Sequence, residues 1–373
     1  MDKIRVLIVD DSAVVRRVLS DLLQADPHIE VVGMAGNGES GLLKIQQLNP
    51  DVVTLDMEMP IMDGIQTLRE IRKTNAKMPV IMFSTLTERG SSATMDALSL
   101  GASDYVTKPS HSGSVLESSE KIRDELIPKI KALCRSKFPA LADPPPKNIP
   151  EVFVPKPVRP RRDKVEVEVL CIGVSTGGPN ALAELIPALG RNFPVPVVIV
   201  QHMPALFTKL LAERLGVISG LKCKEGVDNQ VIKAGEVWIA PGGFHMEVER
   251  VREGVILKLQ QNPPENSCRP AADVLFRSVA KAYGAKALSL VLTGMGQDGM
   301  KGCEAIRAEG GQVLIQDEAS SVVWGMPGAV HAAGLADKVL PLKELAPEVL
   351  KRVLTVRPPA AAKPASNSST FTL

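Results

Sequence analysis

Ser175 closes an apolar run and opens a glycine turn in the stretch Val167–Leu182, VEVLCIGVSTGGPNAL. The β-rich residues before it, then Gly177, Gly178 and Pro179, read as a buried strand that turns into a helix. A serine on such a turn sits at the carboxyl edge of a parallel sheet, where backbone amides and a helix N-terminus can stabilise an anion. A hydroxyl nucleophile needs a base and a group to orient that base. Five histidines are present. His202 lies just beyond the run PVPVVIV, so it shares the edge of the serine turn. His245, in the glycine turn APGGFHM, is the competing candidate, while His28, His111 and His331 carry no such context. Asp298, in LVLTGMGQDGMKG, follows another strand-to-glycine transition and can orient the imidazole. The chemistry these types could do is acyl transfer: His202 takes the Ser175 proton, Asp298 fixes the tautomer, and amides near Met295 receive the oxyanion. The order Ser, His, Asp and the sequence GVSTGG differ from the GxSxG elbow of ordinary esterases. Neither glycine loop holds a full GxGxxG or a P-loop lysine, which argues against a nucleotide site.

A second chemical set occupies the first third of the chain. Asp10 and Asp11 follow one apolar run, Asp56 another, Ser84 a third, and Lys108-Pro109 a fourth. Carboxylates so gathered need a cation, and oxygen ligands of this kind suit Mg²⁺. A metal beside Asp56 would neutralise charge during phosphoryl transfer to that carboxylate, with Ser84 and Lys108 holding the phosphoryl oxygens.

These residues must be positioned by two α/β units. In the first, runs at Ile4–Val9, Ile29–Ala35, Val52–Leu55, Val80–Phe83 and Tyr105–Thr107 alternate with amphipathic stretches such as Val14–Leu23, as a doubly wound parallel sheet requires. Alternation resumes at Val167–Val174, Val197–Val200, Val237–Ile239, Ala287–Leu292 and Gln312–Ile315, with Val248–Leu259 as an inserted hairpin. Between the units, Glu117–Leu133 has helical spacing, and residues 138–162 are rich in proline, a spacer composition. The expected division is residues 4–121, a helix and proline-rich linker over 122–164, a second domain over 165–357, and a tail over 358–373 too poor in apolar residues to fold.

A chain of 373 residues holds two such cores. The net charge of +2 gives no support to nucleic-acid binding or a membrane surface, and residues 165–357 offer no basic recognition helix. The five cysteines form no CxxC pair, which argues against disulfides and zinc and for a reducing cytoplasm. Acidic residues in MDKIRVLIVDD argue against a signal peptide, and no run reaches the ~20 apolar residues of a membrane span.

IRVLIVDDSAVVRRVL, DVVTLDMEMPIMDG, PVIMFST and GASDYVTKP together resemble the receiver domain of two-component response regulators. The resemblance implies a flavodoxin-like fold with Asp56 as phosphoacceptor, Mg²⁺ at Asp10, Asp11 and the backbone carbonyl of Glu58, and Ser84 and Lys108 as the switch pair. GVSTGGPNAL, IVQHMPALFT, WIAPGGFHM, RPAADVLF and VLTGMGQDGMKG resemble the CheB-type protein-glutamate methylesterase domain of bacterial chemosensory systems. That resemblance implies Ser175 as nucleophile, His202 as base and Asp298 as orienting acid, with Thr176 and the Met295 amide at the oxyanion site and no cofactor for the esterase step. It also implies γ-methyl glutamate esters and particular glutamines of chemoreceptors as substrates, and a chemotaxis histidine kinase as phosphodonor. The expected control is that the unphosphorylated receiver packs over the edge bearing Ser175, His202 and Asp298, and that phosphorylation of Asp56 loosens this interface. Two other readings use the same residues: a regulator whose second domain only binds a partner, and a serine hydrolase acting on small esters.

Overall fold

A computed structural model describes residues 3–85, 87–108, 115–135, 137–138 and 166–354. The proline-rich linker, Pro109, His111 and the tail lie outside the described residues.

The first unit contains β1 (Ile4–Val9), β2 (Ile29–Ala35), β3 (Val52–Asp56), β4 (Val80–Ser84) and β5 (Asp104–Thr107). Helices α1 (Ala13–Gln24), α2 (Gly38–Leu48), α3 (Gly64–Thr74), α4 (Glu88–Ser99) and α5 (Val115–Leu133) separate and follow them. The strands pair in parallel in the order β2-β1-β3-β4-β5, so strand order reverses at β1 and β3. That reversal opens a crevice at the carboxyl ends of these two strands. The apolar run expected at each strand is present, because strands covered on both faces must be continuously apolar; β3 and β4 are buried throughout.

The second unit is a seven-stranded parallel sheet in the order β14-β13-β12-β6-β7-β9-β8. It comprises β6 (Val169–Val174), β7 (Val197–Gln201), β8 (Lys222–Glu225), β9 (Glu236–Ile239), β12 (Ala287–Val291), β13 (Gln312–Gln316) and β14 (Lys338–Leu340). The inserted hairpin is longer than its sequence signal, β10 (His245–Val251) against β11 (Gly254–Gln260). Helices α6 (Gly178–Ala188), α7 (Ala205–Ser219), α8 (Ala272–Tyr283), α9 (Met300–Ala308), α10 (Met326–Ala332) and α11 (Leu342–Leu354) cover the sheet. The chain runs from β6 outward to β7 and later returns to β12 on the other side of β6. The central strand therefore marks a second switch point.

The two units share an apolar cluster that includes Met95, Tyr105, Phe207 and Leu211. The Tyr105 and Phe207 rings stack with centroids 4.6 Å apart. Arg214 on α7 donates to the carbonyl of Met95 at 2.7 Å and lies 3.4 Å from the Asp96 carboxylate, both on α4. Asn180, in the first turn of α6, reaches the Ala102 carbonyl at 3.5 Å.

Candidate active site and phosphoacceptor site

Three adjacent strands deliver the acyl-transfer candidates. Ser175 follows β6, His202 follows β7 on one side, and Asp298 lies in the loop after β12 on the other. The Ser175 turn is tightly built. Its amide donates to the Thr293 carbonyl at 3.0 Å, and its carbonyl accepts from Gly178 at 2.8 Å and from the buried Gln201 amide at 3.0 Å. Gly177 takes φ +77°, a conformation that glycine adopts at little cost, and α6 starts there without a side-chain cap; the Ser175 carbonyl takes the Gly178 amide and the Gly177 carbonyl that of Ala181. Gly294 passes so close that a Cβ there would lie 2.8 Å from the Ser175 Cβ. Absence of that Cβ brings the Gly294–Met295 backbone beside the nucleophile. Thr176 is buried, and its carbonyl accepts from the Thr293 hydroxyl at 2.9 Å.

His202 and Asp298 are joined at 2.8 Å through Nε2 and Oδ2. The Nε2 proton faces the carboxylate, which leaves Nδ1 as the basic nitrogen; the Cys268 Sγ lies 3.5 Å from it. Burial would lower the His202 pKa, but the Asp298 hydrogen bond and the contact with Cys268 outweigh it and raise it above the ordinary imidazole value. Asp298 is almost fully buried. Burial pushes its carboxyl up, yet His202 and the amides of Ala272 and Asp273 hold it below the usual range. These two amides belong to the first turn of α8, which has no cap from its own N-cap residue, Ala271. The aspartate thus also caps a helix, and the helix dipole favours its charge. In this arrangement no hydrogen bond joins the Ser175 hydroxyl to His202, among the described residues. His245 is not part of the group: its ring is buried and bonds the Pro263 carbonyl at 3.1 Å. Asn266, Asp273, Cys268 and Gln201 were not legible as members of this site; their side chains reach it only through tertiary folding.

At the crevice of the first sheet, carboxylate oxygens of Asp10, Asp11 and Asp56 lie within 4.8 Å of one another. Lys108 Nζ stands 2.8 Å from Asp56 and 3.1 Å from Asp10. Burial raises the Asp56 pKa to about 6; Lys108 opposes this and Asp10 adds to it. Three converging carboxylates with one lysine fit a hard divalent cation, whose charge would favour the ionised Asp56 needed for attack on phosphorus. Glu58 lines the same cleft. The Ser84 hydroxyl faces α4 rather than Asp56: it accepts from Thr94 at 2.6 Å and donates to the Gly90 carbonyl at 3.1 Å.

The class defined by this fold and these edges is a receiver domain joined to a parallel α/β domain with serine, histidine and aspartate at its switch point. Residues 6–119 match the response regulator receiver domain family, and residues 170–349 match the CheB methylesterase family. The chain is 51% identical to a protein-glutamate methylesterase/protein-glutamine glutaminase of Trichodesmium erythraeum, over 95% of this chain and 100% of that one. It is 52% identical to a protein of the same name from a Nocardioides species, over 96% and 98%. The crystal structure of the Thermotoga maritima CheB methylesterase catalytic domain is 42% identical, covering 50% of this chain and 99% of its own, with TM-score 0.49. The chain belongs to the protein-glutamate methylesterase/protein-glutamine glutaminase family.

Proposed function

We propose that this protein removes methyl groups from glutamate γ-esters of methyl-accepting chemoreceptors, releasing methanol, and deamidates particular receptor glutamines. The observation that carries the reading is the buried His202–Asp298 pair on the strand edges flanking Ser175. Ser175 Oγ attacks the acyl carbon while its proton passes to Nδ1 of His202. The carbonyl oxygen becomes an oxyanion, met by the Met295 amide and the Thr176 region at the start of α6. Collapse breaks the bond to methoxide, which takes the proton from His202 and leaves as methanol. Water, deprotonated by His202, then hydrolyses the acyl-enzyme to glutamate. With a glutamine substrate ammonia leaves instead.

The receiver supplies the control. A chemotaxis histidine kinase donates phosphoryl to Asp56; Asp10, Asp11, Asp56 and the Glu58 carbonyl would hold the Mg²⁺ that neutralises charge in that transfer. Among the described residues no helix is long and apolar enough to cross a membrane, consistent with a cytoplasmic enzyme that meets the cytoplasmic part of its receptors.

Methylated receptor membranes provide the test. Wild type with Mg²⁺ and a small phosphodonor should release methanol, and Ser175→Ala should lose essentially all of it while retaining the wild-type melting temperature. Methanol release by Ser175→Ala at the wild-type rate would refute the assignment of the nucleophile.

A further inference from the structure

The loop before α8 carries a structure that acyl transfer from Ser175 does not by itself require. Glu265 and Cys268 exchange backbone hydrogen bonds at 3.1 and 2.9 Å, closing a turn whose central residues, Asn266 and Ser267, have φ of +51° and +61°. Two consecutive left-handed residues define a type I′ turn. Asn tolerates that conformation through its short polar side chain, whereas serine has less reason to adopt it. The turn is pinned to α8 by a two-pronged ion pair, Glu265 with Arg277, at 2.7 and 2.5 Å. What this geometry achieves is the placement of one amide. Asn266 Nδ2 lies 2.9 Å from Asp298 Oδ1 and 2.9 Å from Asp273 Oδ2, giving one N–H to each of two buried carboxylates.

Asp298 Oδ2 is used by His202 and the Ala272 amide, so Oδ1 is the oxygen that sets the rotation of the carboxylate. Oδ1 accepts from the Asp273 amide and from Asn266. The other neighbour, the Asp273 carboxylate, repels it. Burial and the charge of Asp298 raise the Asp273 pKa, against the Gly302 amide and Asn266. A neutral donor between the two carboxylates is what lets both stay in place. We propose that Asn266 is a positioning residue for the catalytic acid: its amide locks Asp298 with Oδ2 on His202 and screens it from Asp273. The same turn sets Cys268 against Nδ1 of the base. The charged and titratable groups facing the pair are Asp273 and Arg277 on α8, Glu265 and Cys268 on the turn, and on α9 Cys303, which feels both Asp273 and Asp298, and Lys301 acting on Glu265.

This inference rests on the Ser175 esterase reading, and the test separates the two. Asn266→Gly keeps the left-handed backbone accessible and deletes only the side chain. In the phosphorylated full-length protein, kcat for methanol release should fall roughly tenfold to a hundredfold, the range for losing a hydrogen bond to a charged group. KM for methylated receptor should stay unchanged, because Asn266 acts through Asp298. The acid limb of the kcat–pH profile should move to higher pH, since losing a donor makes the His–Asp pair bind its proton more tightly. Asn266→Asp, the same shape with a third carboxylate, should move it further. An acid limb at the wild-type position in both variants, with any loss of activity matched by a loss of folded protein, would overturn the proposal. If only one variant folds, its profile decides the matter alone. Absence of methanol from wild type would refute the esterase reading instead.

Discussion

His202 and Asp298 share a short hydrogen bond in a site nearly closed to water, so the charge of one sets the proton affinity of the other. The base must be neutral to accept the serine proton. A pKa raised by Asp298 therefore means activity that is present above the raised value and lost as pH falls through it. Asp298→Asn should lower kcat/KM by about 10⁴-fold, as loss of the orienting acid does in other triads. It should also bring the acid limb of the residual activity down toward the ordinary imidazole value of ~6.5, measured as methanol release against pH on the phosphorylated protein. An unmoved limb would mean that Asp298 does not govern the base. Ser175, His202 and the acidic cluster around Asp56 were legible in sequence because each stands directly after an apolar run, Asp298 because it lies in the glycine loop that follows one, and strand ends in parallel sheets converge. Asn266 and Asp273 were not, because each meets Asp298 across more than twenty residues of sequence and neither follows a strand.

At the scale of elements, the same logic explains which strands the sequence disclosed. Ten of the parallel strands carry apolar runs, among them the partly exposed edge strand β2. The two that were not anticipated, β8 and β14, are the outer strands of the second sheet. β8 reads KCKE and alternates exposed with half-buried residues; β14 has only three residues. Short, lysine-bearing edge strands are how sheets avoid pairing with other chains, and that composition removes the signal. The exit of β12 carries the strictest element-level demand. A Cβ at Gly294 would lie 2.5 Å from the Met326 Sδ as well as 2.8 Å from the Ser175 Cβ, while Gly294 also pairs with Val323 and Met326 through backbone bonds. Gly294→Ala should therefore displace the loop that carries Met295, cutting kcat by ~10²–10³-fold, the range for losing an oxyanion donor. KM should change little and the receiver should still phosphorylate. Wild-type kcat in this variant would show that the loop is not held against Ser175 in the working enzyme.

Across the whole molecule, the two chemistries are linked by contact rather than by chain alone. α4 and β5 of the receiver lie against α6 and α7, the helices that begin just after Ser175 and His202. The described contacts therefore run along the flank of the edge that bears Ser175 and His202, whereas the expectation placed the receiver over it. Ser84 is tied to Thr94 and Gly90 on α4. A phosphoryl group on Asp56 that draws the Ser84 hydroxyl would break those ties and shift the helix that Arg214 grips. The arrangement described here would then be the resting member of a two-state equilibrium. The direct measurement is the rate of methanol release from methylated receptor membranes with Mg²⁺, with and without a small phosphodonor, for wild type and Asp56→Asn. The account predicts that phosphodonor raises the wild-type rate at least tenfold and leaves Asp56→Asn at the low basal rate. A wild-type rate indifferent to phosphodonor, under conditions where Asp56 is shown to be phosphorylated, would contradict it.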